Sequence, residues 1–146
     1  MAALVNRRTL KIEWGQCDPA GIVFYPHYLM IFDASTGHLF ARTGLSASEM
    51  RRKYSILGMP LVEQGTRFLK PCRFDDEIVV ESEVEEWGRS SFTVRHRILN
   101  QGQLAVDGFE KRVWAAADPA QPGRIRPQPI PAEIIASLSD GAAPVE

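Results

Sequence analysis

The chain has 146 residues, of which 45% are hydrophobic and 24% charged, and its formal net charge is −1. That much apolar material suits one domain with a sizeable core and excludes a disordered chain. The near-neutral balance offers no general attraction for nucleic acid or an anionic membrane, and no apolar run reaches membrane-spanning length.

The opening MAALVNRRTL lacks the apolar core and cleavage pattern of a signal peptide. Cys17 and Cys72 stand far apart and in no metal-type spacing, which fits a reducing cytoplasm with both as small buried thiols. Leu10, Ile12 and Trp14 alternate with Thr9, Lys11 and Glu13, so a first strand with one buried face is expected over 4–14. Gly15 breaks that pattern, and Asp18-Pro19 and Ala20-Gly21 mark a loop over 16–23. Pro26 suits the first position of a helix, where its missing N–H goes unnoticed. Tyr28, Leu29, Ile31, Phe32, Leu39 and Phe40 recur at helical spacing as far as Gly44, the expected stop beside Arg42. This helix over 26–43 is apolar on much of its circumference, which predicts a sheet wrapped around it. Ala34, Ser35 and Gly37 keep its middle slim for close packing on strands or a second subunit. A shorter polar helix is expected over 47–54.

From Pro60 the pattern turns to strands, at 61–69, 77–87, 91–99 and 104–117, with reversals at 88–90 and 100–102. Ile78, Val80 and Val84 oppose Glu81, Glu83 and Glu85; Phe92, Val94, His96 and Ile98 oppose Thr93, Arg95 and Arg97. The alternation of the last strand slips near Gly108, which suggests a bulge. The proline-rich tail from 118 is expected to run over the surface, with a short helix at 132–138. One strand, a long helix and four strands joined by short reversals predict an α+β fold with an antiparallel sheet. Its uncovered edge predicts an oligomer.

The chemistry centres on Asp18, a carboxylate on a loop just ahead of a helix start with its free N–H groups. Hydrolysis of a thioester needs a nucleophile or base, and a place for the charge that develops on the carbonyl oxygen. A thiol, with a pKa of about 8.5, leaves without strong protonation, so one carboxylate and a few aimed N–H donors suffice. The plainer reading of Asp18 is an Asx turn. His27 lies one turn into the helix; Cys17 with His27 as its base lacks an orienting third residue. His38 and His96 read as structural, and Asp33 as a helix acid that is either solvated or paired.

The segments CDPAGIVFYPHY (17–28), FDAS (32–35), GMPLV (58–62), FDDEI (74–78) and EWGRSSF (86–92) resemble, in order and spacing, the 4-hydroxybenzoyl-CoA thioesterase family. The resemblance spans roughly residues 8–117 and the PAEII of the tail. It implies the hotdog fold, a long helix wrapped by an antiparallel sheet. It also implies homodimers commonly paired into homotetramers, with active sites between subunits and no cofactor or metal. By resemblance Asp18 is the catalytic carboxylate, as nucleophile or as base for water, and the Tyr25 N–H polarises the thioester carbonyl. Met59, Pro60 and Leu61 line the acyl pocket, and Gly88, Arg89 and Ser90 form part of the CoA site. The chain departs from the family pattern at three places. The 88–90 turn keeps a single charge, which shifts CoA contacts toward Arg73, Arg124 or Arg126. Met59 stands where a polar residue is expected, and Ala47–Met50 replaces an aromatic wall. These departures point to an aromatic or short acyl-CoA as substrate. The alternatives are acyl groups on acyl carrier protein and a non-catalytic acyl-CoA-binding role.

Overall fold

The computed structural model describes residues 2–142, 144 and 145. Strands β1 (Asn6–Lys11), β2 (Leu61–Phe68), β3 (Glu77–Trp87), β4 (Ser91–Asn100) and β5 (Gln103–Val113) form one antiparallel sheet in the order β1-β3-β4-β5-β2. Two tight reversals set the β3–β4 and β4–β5 registers. The second uses Gln101 and Gly102, both at positive φ (52° and 73°), whose twist matches the strands they join.

Helix α1 (Pro26–Phe40) lies on one face of this sheet and packs most closely over β3 and β1. It buries Tyr28, Ile31, Phe32, Ser35, Thr36, Leu39 and Phe40, the i, i+3, i+4 stripe, while Met30, Ala34, Gly37 and His38 stay exposed. Under its first half lie Ile12, Val23, Ile78, Val80 and Ile98; under its second half lie Val84, Phe92, Val94 and Trp114. Ser35 is buried because it accepts from Arg8 Nη1 (2.8 Å) and donates to the Ile31 carbonyl. Helix α2 (Ala47–Tyr54) begins with a capping box, Ser46 with Glu49, and ends with basic residues that suit its dipole.

The opposite face of the sheet carries no helix. Cross-strand ion pairs cover it: Arg7–Glu81 (2.7 Å), Arg97–Glu83 (3.3 Å), Arg95–Asp107 (3.0 Å) and Arg95–Glu85 (3.6 Å).

Several expectations need correction. The first strand stops at Lys11, because Trp14–Gln16 closes into a 3-10 turn stitched by Glu13 and Gln16. Trp14 is therefore not buried: it is 61% exposed and meets Phe74 edge-on. Helix α1 ends at Phe40, and residues 41–43 tighten into a second 3-10 turn before Gly44 at φ 87°. The strand expected over 104–117 breaks at Trp114, whose N–H turns to the Ser90 carbonyl. The remainder, β6 (Ala115–Ala117), pairs with β7 (Ile125–Pro127), so part of the proline-rich tail is a two-stranded ribbon. The short terminal helix is α3 (Ala132–Ser137). The irregularity expected near Gly108 lies three residues before it, where Ile98 pairs with Val106 and Leu99 with Leu104, so that Ala105 is the extra residue of β5; Gly108 itself pairs in register with His96. A Cβ there would lie 2.6 Å from the Phe32 ring, so the glycine serves close helix–sheet approach. A further register irregularity, in β2, lies between Leu61 and Glu63. Only Cys72 is fully buried; Cys17 is partly exposed.

Candidate active site

The Asp18 loop is short and held by backbone hydrogen bonds, within itself and to the 72–74 segment. Cys17 bridges to Val23, the Asp18 N–H donates to the Ile22 carbonyl (2.9 Å), and the Gly21 N–H donates back to the Asp18 carbonyl (2.9 Å). Gly21 sits at φ 78°, which a side chain would resist. Asp18 Oδ1 accepts the Ala20 N–H at 2.9 Å. This is an Asx turn, and it ties down one carboxylate oxygen. Oδ2 has no hydrogen-bond partner among the described residues, and Asp18 is half-buried.

The helix start supplies a donor. The N–H groups of Val23, Phe24, His27 and Tyr28 reach the carbonyls of Cys72, Gln16, Phe24 and Tyr25. Pro26 has no N–H. The Tyr25 N–H alone in this run has no acceptor among the described residues, and it points out of the positive end of α1. The Tyr25 ring is exposed and packs edge-on with Phe24 (5.5 Å) and Phe68 (6.4 Å). An apolar cavity of about 270 Å³ adjoins it, bounded by Val23, Tyr28, Phe68 and Pro71.

Cys17 does not offer a nucleophile. Burial, Asp18 and Asp76 push its thiol up, so the thiolate is disfavoured, and His27 makes no bond to it among the described residues.

The proposed substrate residues lie elsewhere. Met59 is half-buried against the second core cluster, and its carbonyl accepts from Arg112 Nη1 at 2.9 Å. The Pro60 carbonyl accepts from Val113. Leu61 lines a cavity of about 120 Å³ with Gln64, facing Leu29, Phe32 and Asp33 of α1, over Glu110 and Arg112. At the β3–β4 turn, the Arg89 carbonyl accepts from Ile130 and the Ser90 carbonyl from Trp114, leaving the Arg89 side chain in solvent. A Cβ on Gly88 would lie 2.8 Å from Ser91 Oγ, so the turn needs glycine there. Arg73 bridges to Ile22 beside the Asp18 loop; Arg124 and Arg126 lie on the β6–β7 ribbon.

One protomer does not bring these groups together. Asp18 and Tyr25 neighbour the 72–76 segment that leads into β3, whereas Gly88–Ser90 follow its far end. An eleven-residue strand at roughly 3.3 Å per residue separates them by about 35 Å.

The sequence reading missed a buried polar cluster at the middle of the sheet. His96 Nδ1 meets Ser82 Oγ (2.7 Å), and its Nε2 meets Glu110 Oε1 (2.9 Å) and Thr36 Oγ1 (3.1 Å). Glu110 also receives Arg112 (2.7 Å), which extends to Asp33 Oδ1 (2.6 Å). Asp33 is thus both paired and largely exposed. The signal was present: Glu110 and Arg112 occupy the same strand parity as buried Val106 and Gly108.

A family model of the thioesterase-like superfamily matches residues 12–138. The chain is 34% identical over 131 residues to the 4-hydroxybenzoyl-CoA thioesterase of Pseudomonas sp. strain CBS-3, covering 86% of this chain and 91% of that one. Its fold superposes on the structure of that enzyme with a TM-score of 0.85 at 33% identity, over 92% and 99% of the two chains. An Asp-to-Asn mutant 4-hydroxybenzoyl-CoA thioesterase, complexed with 4-hydroxybenzoyl-CoA, superposes at 0.86 with 33% identity over 94% and 100%. A gentisyl-CoA thioesterase superposes at 0.78, with 31% identity over 89% and 99%.

Proposed function

The chain belongs to the thioesterase-like superfamily, and from that premise we propose that it hydrolyses an aromatic or short acyl-CoA to the free acid and CoA. One observation carries the reading: a carboxylate with one oxygen tied and the other free stands seven residues before an unpaired helix-start N–H. Either of two steps uses this pair. In the first, Asp18 Oδ2 attacks the thioester carbon while the carbonyl oxygen takes up charge at the Tyr25 N–H. The C–S bond breaks, CoA leaves as thiolate, and water cleaves the acyl-aspartyl anhydride. In the second, Asp18 takes a proton from the water that attacks. The aromatic acyl-CoAs named for the relatives support the substrate class.

The two distant groups of site residues fit an assembly of copies. β2 is an edge strand with most of its side chains exposed, including Leu61, Val62 and Phe68. Two-fold antiparallel pairing through this edge sets the Leu61 end of one copy beside the Phe68 and Tyr25 end of the other. Met59, Pro60 and Leu61 then line the acyl pocket beside a partner's Asp18. Gly88, Arg89 and Ser90 contact CoA, and Arg89 with Arg124 or Arg126 meets its phosphates. Such dimers pair further into tetramers. The protein works as one domain in the cytoplasm; no helix among the described residues is long and apolar enough to cross a membrane.

The test is Asp18→Asn, assayed on benzoyl-, hydroxybenzoyl-, phenylacetyl-, short aliphatic and long-chain CoA esters. Hydrolysis falls by about 10²–10⁴-fold while the folded spectrum and ester binding persist. Full activity in that variant overturns the assignment of Asp18. Tight binding without turnover by the unaltered protein indicates an acyl-CoA-binding role, and faster turnover on acyl carrier protein shifts the substrate to that carrier.

A further inference from the structure

The cavity beside Leu61 has a buried guanidinium in its floor. Arg112 is 9% exposed and has three anchors on three parts of the chain. It donates to Glu110 on its own strand (2.7 Å), to Asp33 on α1 (2.6 Å), and to the Met59 carbonyl just before β2 (2.9 Å). Glu110 is held from below by His96 (2.9 Å) and Thr36 (2.5 Å), so the anchor on β5 is itself fixed.

The strand opposite is shaped to match. Leu61 pairs directly with Arg112 in the β2–β5 register. In a regular strand Leu61 and Gln64, three apart, point to opposite faces. The irregularity between Leu61 and Glu63 re-aims the chain, so both residues line the one cavity. Because α1 packs mainly over β1 and β3, its distance from β2 depends on what spans the gap. Among the residues lining the cavity, Arg112 alone bonds to both α1 and the segment leading into β2. The cavity's volume of about 120 Å³ is close to that of an apolar cavity that accepts one benzene ring, about 150 Å³.

We propose that Arg112 is a positioning residue that fixes the width of this cavity and so limits the acyl group to single-ring size. The inference rests on the thioesterase reading above. A planar fork with fixed donor directions is required to hold three anchors at once; a lysine ammonium is a point charge and does not reproduce it.

The test compares Arg112→Lys with Thr36→Val, which removes a Glu110 contact without touching Met59 or Asp33. Turnover is measured on acetyl-, benzoyl- and naphthoyl-CoA. With Arg112→Lys, the benzoyl-to-naphthoyl ratio of kcat/KM falls by about tenfold, mostly through KM. Amide exchange at Val113 and Ala115, whose N–H groups hold the Pro60 and Gly58 carbonyls, speeds up while the rest of the sheet is unchanged. Thr36→Val lowers stability but keeps the ratio. Equal losses on all three esters with Arg112→Lys, or the same change of ratio with Thr36→Val, overturn the proposal. If Arg112→Lys does not fold, Glu110→Gln, which keeps shape and removes the charge holding Arg112, takes its place with the same expected readouts. Should the unaltered protein cleave none of the esters, the thioesterase reading fails, and the Val113 and Ala115 exchange rates still decide whether Arg112 holds the segment.

Discussion

Glu110 shows how one buried carboxylate is kept charged. Burial alone raises its pKa; hydrogen bonds from His96, Arg112 and Thr36, with the charge of Arg112, outweigh that and hold it at about 2 against an ordinary 4.5. A carboxylate depressed on folding adds stability above its unfolded pKa and loses it as pH falls through the folded one. The protein should therefore lose on the order of 3 kcal/mol between about pH 4.5 and pH 2. Denaturant titrations across that range should show the loss in the unaltered protein and a flatter profile in Glu110→Gln. A steep profile persisting in the variant assigns the acid sensitivity elsewhere. At this scale the turn at Asp18 was legible, because Asp before Pro and a glycine free to take positive φ are turn signals. The Glu110–Arg112 pair was not, because charges on a strand read as solvated until the partner across the core is known.

Elements were legible where a local rule was strong. The clean alternation of β3 and β4 gave their faces correctly, and the short polar helix expected over 47–54 is α2. Long-range contacts defeated the reading at Trp14, which meets Phe74, and at Trp114, which the Ser90 carbonyl draws out of β5. Near Gly108 the slip in alternation did mark a β5 irregularity, at Ala105, while the need for glycine at 108 lies on α1. Gly108→Ala drives a methyl to 2.6 Å from the Phe32 ring, which is itself stacked on His96 at 4.8 Å and has little room to swing. We expect a loss of about 1–3 kcal/mol, read as a lower denaturation midpoint at unchanged m. A midpoint equal to that of the unaltered protein would show that α1 yields at no cost.

At the scale of the whole molecule, the exposed β2 edge is the feature that composition could not locate, although an unpaired edge was expected from the strand count. Val62→Glu places like charges where two such edges approach across a two-fold axis. Sedimentation should then report a smaller species, and hydrolysis should fall with it. An unchanged species removes the β2 edge as the meeting place of copies. The open face of the sheet has a different fate. Its arginine–carboxylate pairs are exposed enough that each contributes little to stability. Dehydrating them is another matter, since each ion taken out of water costs several kcal/mol. A flat apolar surface laid on that face would meet this cost at every pair at once. The ladder of charges thus keeps one broad side of the molecule wet and unattractive to greasy neighbours. A chain with so much exposed strand carries on that face a barrier to stacking upon itself.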